Sequence, residues 1–366
     1  MALDYYMPPE WAPHEATWIT WPKDPITWPD RVEAARECYL QMMAALSPHE
    51  KVNLLVDDEE TKQDVLKRLE KHISHGQTRG SATTNIYIHI IPTVDSWIRD
   101  YGPIFVKSSP SPQPSPSKGE GVRRTGEGDI VMLDWIFNAW GNKYESLKKD
   151  DDIPQKISPL LDIPVLQPGI VLEGGSIDVN GKGSLLTTKQ CLLNKNRNSH
   201  LSQKEIEGYL AKYLGVKNIL WLGDGIEGDD TDGHIDDITR FVFEDTIVTA
   251  LEEDPKDANY EPLQENLKLL QSMKDQDGKP FKIITLPMPG RLDRDDGSGR
   301  LPASYANFYI ANKVVLVPTY RHKNDERALN ILQKVFNDRK VLGIECNDLI
   351  YGMGAIHCLT QQQPKT

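Results

Sequence analysis

The segment that decides the fold is HIDDITRFVFEDTIVTAL at residues 234–251, together with residues 252–286. Its β-branched and aromatic residues predict two strands joined by a Glu-Asp turn, the first strand beginning near His234. The periodicity of the next residues predicts a helix over 261–274 and a third strand over 281–286. The segment therefore predicts a strand-strand-helix-strand unit.

In this strand register the side chains of His234 and Asp236 lie on one face of the first strand, and Asp237 lies on the other. A neutral imidazole beside a carboxylate is a proton-transfer unit, because the carboxylate stabilises the imidazolium. For Asp224, Asp229 and Asp237, each taken alone, a solvated acidic turn is the simpler expectation.

The same order of elements recurs along the chain. Three further units are predicted. One has strands at 173–179, 184–193 and 218–222 and a helix from Ser202, and another has strands at 305–310, 314–317 and 340–344 and a helix at 325–336. Of the third, two strands of a hairpin are visible at 100–107 and 129–137. A fifth is shared between the chain ends, with 356–360 pairing with 16–20, helices at 30–46 and 59–71, and strands at 52–56 and 86–91. Five units closed first to last predict a cyclic α/β arrangement without open edges.

Residues 108–128 interrupt one predicted hairpin with a segment rich in Ser, Pro and Gly. Such a composition buries too little apolar surface to order itself, so we expect a disordered insertion at the hairpin tip. The rest of residues 1–366 is expected to form a single domain.

The composition and charge of the chain narrow the classes of partner that it is expected to bind. The 366 residues are 39% hydrophobic and carry a formal charge of −12, which disfavours nucleic acid and acidic membranes and suits a cationic ligand. The N-terminus has no basic start or apolar core, and no apolar run reaches ~20 residues, so we expect a soluble cytoplasmic protein. The sequence leaves open whether copies of the chain form a homo-oligomer.

Four cysteines without C-x-x-C spacing do not form a disulfide framework. Cys38 and Cys191 lie in apolar patterns and are expected to be inert core thiols, and Cys346 is expected to be structural. Cys358 differs because it lies at the start of a unit's first strand. Its neighbour His357 should point to the opposite face and play a structural part.

Reactive side chains recur at this same position in the other units. They are Asp100, Glu173, His234 and either Tyr305 or Asn307, and five-fold pseudosymmetry would bring them together with Cys358. Buried carboxylates repel a developing oxyanion but suit a cationic substrate such as a guanidinium, which two carboxylates bind through paired hydrogen bonds. We therefore expect Asp100 and Asp236 to clamp a guanidinium, with its central carbon facing the thiolate.

Six motifs then carry a family resemblance. They are WIRDYGP (97–103), EGGS (173–176), NKNRN (194–198), GDDTDGHID (228–236), ASYANFY (303–309) and IHCLTQQQP (356–364). They resemble those of agmatine deiminases in the bacterial peptidyl-arginine deiminase family, part of the guanidino-group-modifying superfamily. The resemblance covers nearly the whole chain except the insertion.

The resemblance implies a five-bladed pseudosymmetric α/β propeller (pentein). It implies that Cys358 is the nucleophile, His234 the acid and base, and Asp100 and Asp236 the guanidinium ligands. It also implies substrate-pocket roles for Trp97, Glu173 and Asp230. Where similar enzymes carry Gly-Gly-Gly-Asn before Ile-His-Cys, this chain has Gly-Met-Gly-Ala at 352–355.

The expected reaction is hydrolysis of agmatine to N-carbamoylputrescine and ammonia through a cysteine thiouronium intermediate, with no metal or organic cofactor. Deimination of free or peptidyl arginine is the alternative reaction, and a catalytically silent guanidine or polyamine binder is the alternative outside catalysis. The distinction depends on the far end of the substrate, since a free amine requires a carboxylate and an amino acid's carboxylate requires a cation.

Overall fold

The computed structural model describes residues 5–75, 85–108 and 128–366, and in these ranges the strands form five separate sheets. Each sheet contains an antiparallel pair followed, across a helix, by a parallel strand. This is the predicted unit repeated five times, so the α/β repeat fold is confirmed. No helix of the described ranges is long and apolar enough to cross a membrane.

The third unit shows how the sequence forms the repeat. Its strands are Thr239–Phe243, Thr246–Leu251 and Lys282–Pro287, and its helix is Tyr260–Ser272. The first two strands pair antiparallel and the third pairs parallel to the second, as a connection through a helix allows. The apolar residues of the helix that face the sheet, among them Leu263 and Leu270, are fully buried.

One part of this prediction is wrong. The strand begins at Thr239, and Ile235–Asp237 form a single turn of 3-10 helix before it. The alternation of a strand therefore does not apply to His234, Asp236 and Asp237, and all three side chains are buried.

The second and fourth units repeat the pattern. Their strands are Asp178–Val179, Ser184–Thr188 and Asn218–Leu222, and Tyr309–Ile310, Val314–Thr319 and Lys340–Glu345. Their helices are Gln203–Leu214, which starts at the predicted capping box of Ser202 and Glu205, and Asp325–Val335. Shorter helical segments are Lys189–Leu192, Lys195–Asn198 and the 3-10 turns Gly174–Ser176 and Leu349–Gly352.

The first unit contains the predicted hairpin. Its sheet comprises Tyr5–Tyr6, Ile104–Ser108, Ile130–Leu133 and Val165–Leu166, and its helical segments are Ile98–Tyr101, Ala139–Asn142, Glu145–Asp152 and Ile153–Leu161. The backbone N–H of Gly128 donates to the carbonyl of Ser108 at 3.1 Å, so the two strands meet there. Of the insertion predicted at 108–128, residues 109–127 lie outside the described ranges.

The fifth unit joins the two ends of the chain, as predicted. Its strands are His14–Thr20, Lys51–Val56, Ile86–Ile90 and Gln361–Pro364, and its helices are Val32–Leu46 and Glu59–His75. The last strand pairs antiparallel with the strand that starts at His14. The prediction placed that last strand at 356–360, whereas His357–Leu359 form a 3-10 turn that precedes it.

Candidate active site

The functional side chains lie on single helical turns that precede the first strand of a unit. Such turns occur at Ile98–Tyr101, Gly174–Ser176, Ile235–Asp237 and His357–Leu359. A turn places consecutive residues closer together than an extended strand does, because each residue advances the chain less. This is the physical reason why two adjacent aspartates can both face the same centre.

A cavity of about 260 Å³ opens onto this centre. Of the sequence-predicted site residues, Trp97, Asp100, Asp230 and Cys358 line it. His234 and Asp236 lie immediately behind the lining, with side chains no more than 1% exposed. Four of its lining residues are acidic and one is basic; they are Asp24, Asp95, Asp100 and Asp230, and Arg294.

Asp229 forms the turn that presents His234. Its carboxylate accepts hydrogen bonds from the backbone N–H groups of Thr231 at 2.7 Å, Gly233 at 2.8 Å and His234 at 3.1 Å. The expectation of a solvated turn is therefore wrong for Asp229, although Asp224 is exposed as expected.

Asp100 is fixed by two donors from different parts of the chain. Trp140 Nε1 donates to Oδ2 at 2.9 Å and the backbone N–H of Gly175 donates to Oδ1 at 3.0 Å. Trp140 has a left-handed backbone (φ 52°), which costs energy in a residue with a bulky side chain. Burial raises the pKa of Asp100 to about 6, although the charge of His234 opposes this rise.

Gly175 is placed between the three reactive groups. A Cβ at this position would lie 2.6 Å from His234 Nδ1, 2.9 Å from Asp100 Oδ1 and 3.0 Å from Asp236 Oδ2. The second glycine of the EGGS motif is thus required, because the backbone passes too close to these three side chains to leave room for a Cβ atom.

The thiol of Cys358 lies at the floor of the cavity and is 6% exposed. Its Sγ is 3.9 Å from Asp236 Oδ2, and the Sγ and carboxylate oxygens from Asp236 and Asp237 lie within 4.8 Å of one another. Burial, reinforced by these carboxylates and by Asp100, raises the pKa of the Cys358 thiol well above its ordinary value. The neutral thiol therefore predominates without a bound cation.

Asp236 is held by a chain of buried polar groups that sequence reasoning missed. His357 bonds Asp236 Oδ2 through Nδ1 at 2.6 Å and Glu10 Oε2 through Nε2 at 2.7 Å. Glu10 is paired in turn with Arg240 at 2.9 Å. Although burial opposes it, the bond to His357 keeps the pKa of Asp236 below its ordinary value. His357 is a satisfied histidine, as expected, but it faces the site rather than the opposite side.

His234 is placed differently from Asp236. The nearest carboxylate oxygens to its Nδ1 are those of Asp100 at 3.7 Å and Asp236 at 4.0 Å, and neither ring nitrogen is hydrogen-bonded to a described oxygen or nitrogen. The thiol of Cys191 also lies beside the ring, since ligand atoms of the two residues are within 4.8 Å of each other. Burial alone would lower the pKa of His234, but Asp100 and the thiol of Cys191 raise it well above its ordinary value.

Glu173 does not line the cavity. It is fully buried and forms an ion pair with Arg197 Nε at 2.7 Å. Ligand atoms of Glu173, Cys191 and His234 lie within 4.8 Å of one another, so Glu173 lies behind the histidine. Cys191 is a buried core thiol, as predicted, but it is not remote from the site.

Trp97 is one of the aromatic residues that line the cavity, together with Trp140, Tyr144 and Tyr351. Its Nε1 donates to Asp95 Oδ2 at 3.0 Å, and its ring packs beside Gly354. A Cβ on Gly354 would lie 2.5 Å from the Trp97 ring and 3.1 Å from Cys358 Cβ. Gly354 therefore has to remain glycine, and Met353, in the left-handed region at φ 73°, takes the turn beside it.

At the outer end of the cavity, Asp230 accepts a hydrogen bond from Tyr144 and lies 3.5 Å from Lys143 Nζ. Arg294 also lines this end, and its Nη2 donates to the carbonyl of Tyr351 at 2.9 Å. The outer end thus has both signs of charge.

A buried thiol thus lies close to a histidine and carboxylates where turns from the strand-strand-helix-strand units meet. The sequence profile of the Porphyromonas-type peptidyl-arginine deiminases matches residues 6–364. The chain belongs to this family.

Individual relatives are similar over their whole length. An agmatine deiminase of Medicago truncatula is 36% identical, covering 98% of this chain and 96% of the relative. Among solved structures, an agmatine deiminase of Enterococcus faecalis, described as catalysing its reaction, superposes with a TM-score of 0.86 at 32% identity, covering 99% of this chain and 96% of the other. A C. jejuni agmatine deiminase with substrate bound gives 0.83 at 32% identity, with the same shares covered.

Proposed function

We propose that this protein is a hydrolase that deiminates agmatine, giving N-carbamoylputrescine and ammonia. The observation that carries the proposal is the thiol of Cys358 at the floor of a small acidic cavity, beside Asp100 and 3.9 Å from Asp236. A planar guanidinium between these carboxylates would present its carbon to the sulfur. Family membership and the likeness to agmatine deiminases support the same reaction.

Substrate binding would also activate the nucleophile. The carboxylates that raise the pKa of Cys358 are the groups that a guanidinium would neutralise. The bound cation would therefore favour the thiolate at the time it is needed, and a free enzyme with a neutral thiol is protected from unspecific alkylation and oxidation.

The chemistry then proceeds in two steps. The thiolate attacks the guanidinium carbon, the tetrahedral adduct expels ammonia protonated by His234, and a thiouronium on Cys358 remains. Water gives one proton back to His234 and attacks the same carbon. When the C–S bond breaks, Cys358 leaves as the thiolate, the second proton of the water passes to the released ammonia or to solvent, and the urea group of the product remains. The high pKa of His234 suits the first role, because the ring is protonated before ammonia leaves.

The acidic lining supports agmatine as the substrate. Asp95 lines the cavity without a basic partner among the described residues, whereas the amine of agmatine is a cation that a carboxylate would bind. The carboxylate of arginine would instead face Asp24, Asp95 and Asp230, with Arg294 as the basic side chain of the lining.

Arg294 is the specific feature that favours the second candidate, free arginine. Ammonia release should be measured with agmatine, arginine and an arginine-containing peptide, with the product identified by mass spectrometry. We expect the highest kcat/KM for agmatine. A higher value for arginine or the peptide would overturn the assignment of substrate, and release from none of the three would overturn the assignment of activity.

A further inference from the structure

Asn307 contacts the reacting sulfur. Its Nδ2 lies 3.1 Å from Cys358 Sγ and donates to it, and the side chain is 1% exposed. It lies on the fourth unit, at the position where the other units carry Asp100, Glu173, His234 and Cys358. Each of the five units therefore contributes a polar side chain to the centre.

The orientation of this amide is fixed from two sides. Oδ1 accepts the backbone N–H of His357 at 2.9 Å, and Nδ2 also donates to Asp237 Oδ1 at 2.9 Å. An inverted amide would direct its NH₂ group at a backbone N–H and its oxygen at a carboxyl and a sulfur. Two of the three contacts would then become repulsive, so the N–H group is held towards Sγ.

An amide donor suits this thiol better than a charged one. Asp100, Asp236 and Asp237 face Sγ and oppose its ionisation, and His234 and His357 contact these carboxylates rather than the sulfur. A lysine or arginine beside Sγ would favour the thiolate but would repel a cationic substrate. A neutral N–H hydrogen bond stabilises the thiolate relative to the thiol without that repulsion.

We propose that Asn307 is a further catalytic residue, which donates a hydrogen bond to the Cys358 thiolate, and that Asp237 is a positioning residue that holds the Asn307 amide in place. The role of the thiolate rests on the function proposed above, but the hydrogen bond can be tested without turnover. Asp237 is 4% exposed and contacts the amide, so the expectation of a solvated Asp237 is wrong.

The test is the pH dependence of alkylation of Cys358 by iodoacetamide, followed by mass spectrometry of the modified peptide. Because the lost hydrogen bond favours the charged thiolate over the thiol, the profile of Asn307→Ala should shift upward by about one pH unit or more. At a fixed pH the alkylation rate should then fall about tenfold, with kcat falling at least as much and KM changing less than about threefold.

A matched control is Asn266→Ala. Asn266 is also 1% exposed, and its amide is also fixed from two sides, in this case by the backbone N–H of Gly223 and the carbonyl of Asp224, but it has no hydrogen bond to Cys358. Its variant should lose stability, measured by thermal unfolding, while the alkylation profile of Cys358 stays in place. An unshifted profile in folded Asn307→Ala would overturn the proposal, whatever the activity.

Asp237 supplies a second test that does not depend on the folding of Asn307→Ala. In Asp237→Asn the new amide oxygen can still accept from Nδ2, whereas Asp237→Ala removes the acceptor. Both substitutions remove any charge that Asp237 carries, and only Asp237→Ala also removes the acceptor that holds the Asn307 amide, so we expect the profile of Asp237→Ala to lie at higher pH than that of Asp237→Asn. Equal profiles, or a lower one for Asp237→Ala, would remove Asp237 from the proposed role. If agmatine is not the substrate, these alkylation results still stand.

Discussion

The floor and the outer end of the cavity are built in different ways. The floor consists of Asp100, His234, Asp236 and Cys358, all at most 6% exposed. Asp100, Asp236 and Cys358 each accept a hydrogen bond from another unit, namely from the backbone of Gly175, from His357 and from Asn307. The outer end consists of Asp24, Asp230, Arg294 and Tyr351 on connecting segments, and these side chains are partly exposed. Under the proposed function, the chemistry would depend on buried groups held between units, and substrate selection would depend on connecting segments.

The largest effect is expected at the nucleophile. Cys358→Ser should abolish turnover of agmatine, because a serine hydroxyl beside three carboxylates does not ionise and cannot attack. The loss of turnover would be measured as the absence of ammonia release, and mass spectrometry would show that no enzyme-bound intermediate forms. Cys38→Ser and Cys346→Ser are matched controls, since both thiols are buried away from the cavity. Near-normal turnover by Cys358→Ser would contradict the covalent mechanism.

The second largest loss of activity is expected at the two carboxylates of the cavity floor. Asp100→Asn and Asp236→Asn keep the shape but remove a charge-assisted contact with the guanidinium in a desolvated site, so kcat/KM should fall by about three powers of ten or more. The exposed Asp224→Asn is the control. Asp237→Asn should cost less than Asp236→Asn, because an amide can still accept from Asn307. Equal losses for Asp236 and Asp237 in folded proteins would show that the two adjacent aspartates do not differ in role.

This last comparison shows where sequence reasoning worked and where it failed. The periodicity of apolar residues predicted four units in full, the hairpin of the other unit and the pairing of the chain ends, because burial of a sheet face repeats with a period that a single sequence displays. The helix Ile153–Leu161 and the strand Val165–Leu166 of that other unit were not predicted. The repeat also placed Asp100, Glu173, His234, either Tyr305 or Asn307, and Cys358 at equivalent positions. The convergence of such positions follows from repeat symmetry.

The turns before the strands could not be predicted in the same way. The turn at residues 235–237 is held by Asp229, which is close in sequence, and by Asn307, which lies 70 residues from its partner Asp237 and therefore does not enter local propensity. Asp237 was consequently placed on the wrong face. Glu10 was missed because it lies 347 residues from its partner His357, although Asn307 had a detectable signal in its position within the repeat.

The backbone of the floor can be tested at Gly175. In Gly175→Ala the added methyl group would lie within 3.0 Å of His234, Asp100 and Asp236, and a displacement of ~1 Å in a catalytic group can cost about 10²-fold. We expect a loss of this size in kcat/KM. Gly208→Ala is the control, because nothing lies near its added carbon in the helix, and it should leave kcat/KM unchanged while raising stability by ~0.5–1 kcal/mol. Similar activity in both variants would show that the floor tolerates displacement.

The ionisation of Asp100, in the cavity floor, predicts a smaller and reversible loss of activity at low pH. Burial raises the pKa of Asp100 to about 6, so this carboxyl is charged above pH 6 and neutral below it. A neutral carboxyl binds a guanidinium poorly, and kcat/KM for agmatine should therefore fall about tenfold between pH 7 and pH 5. Burial raises the pKa of Asp95 to about 6 as well. Asp95→Asn is therefore the control, and its kcat/KM should still fall between pH 7 and pH 5. A fall in kcat/KM centred near pH 4 would contradict the raised pKa of Asp100.

The smallest effect is expected at the outer end, in Asp230→Asn. The Asp230 side chain is 30% exposed and lies near Lys143, so solvent and this neighbour weaken its attraction for the amine of agmatine. We expect KM for agmatine to rise about three- to tenfold, with kcat within about twofold, because the contact is made equally in the ground state and the transition state. The carboxylate of arginine would be repelled less, so the preference for agmatine over arginine should decrease. Asp254→Asn, exposed and remote from the cavity, should change neither substrate's KM. A fall in kcat of the size expected for Asp236→Asn would instead place Asp230 at the reacting guanidine, and the division between a chemical floor and a selective outer end would fail.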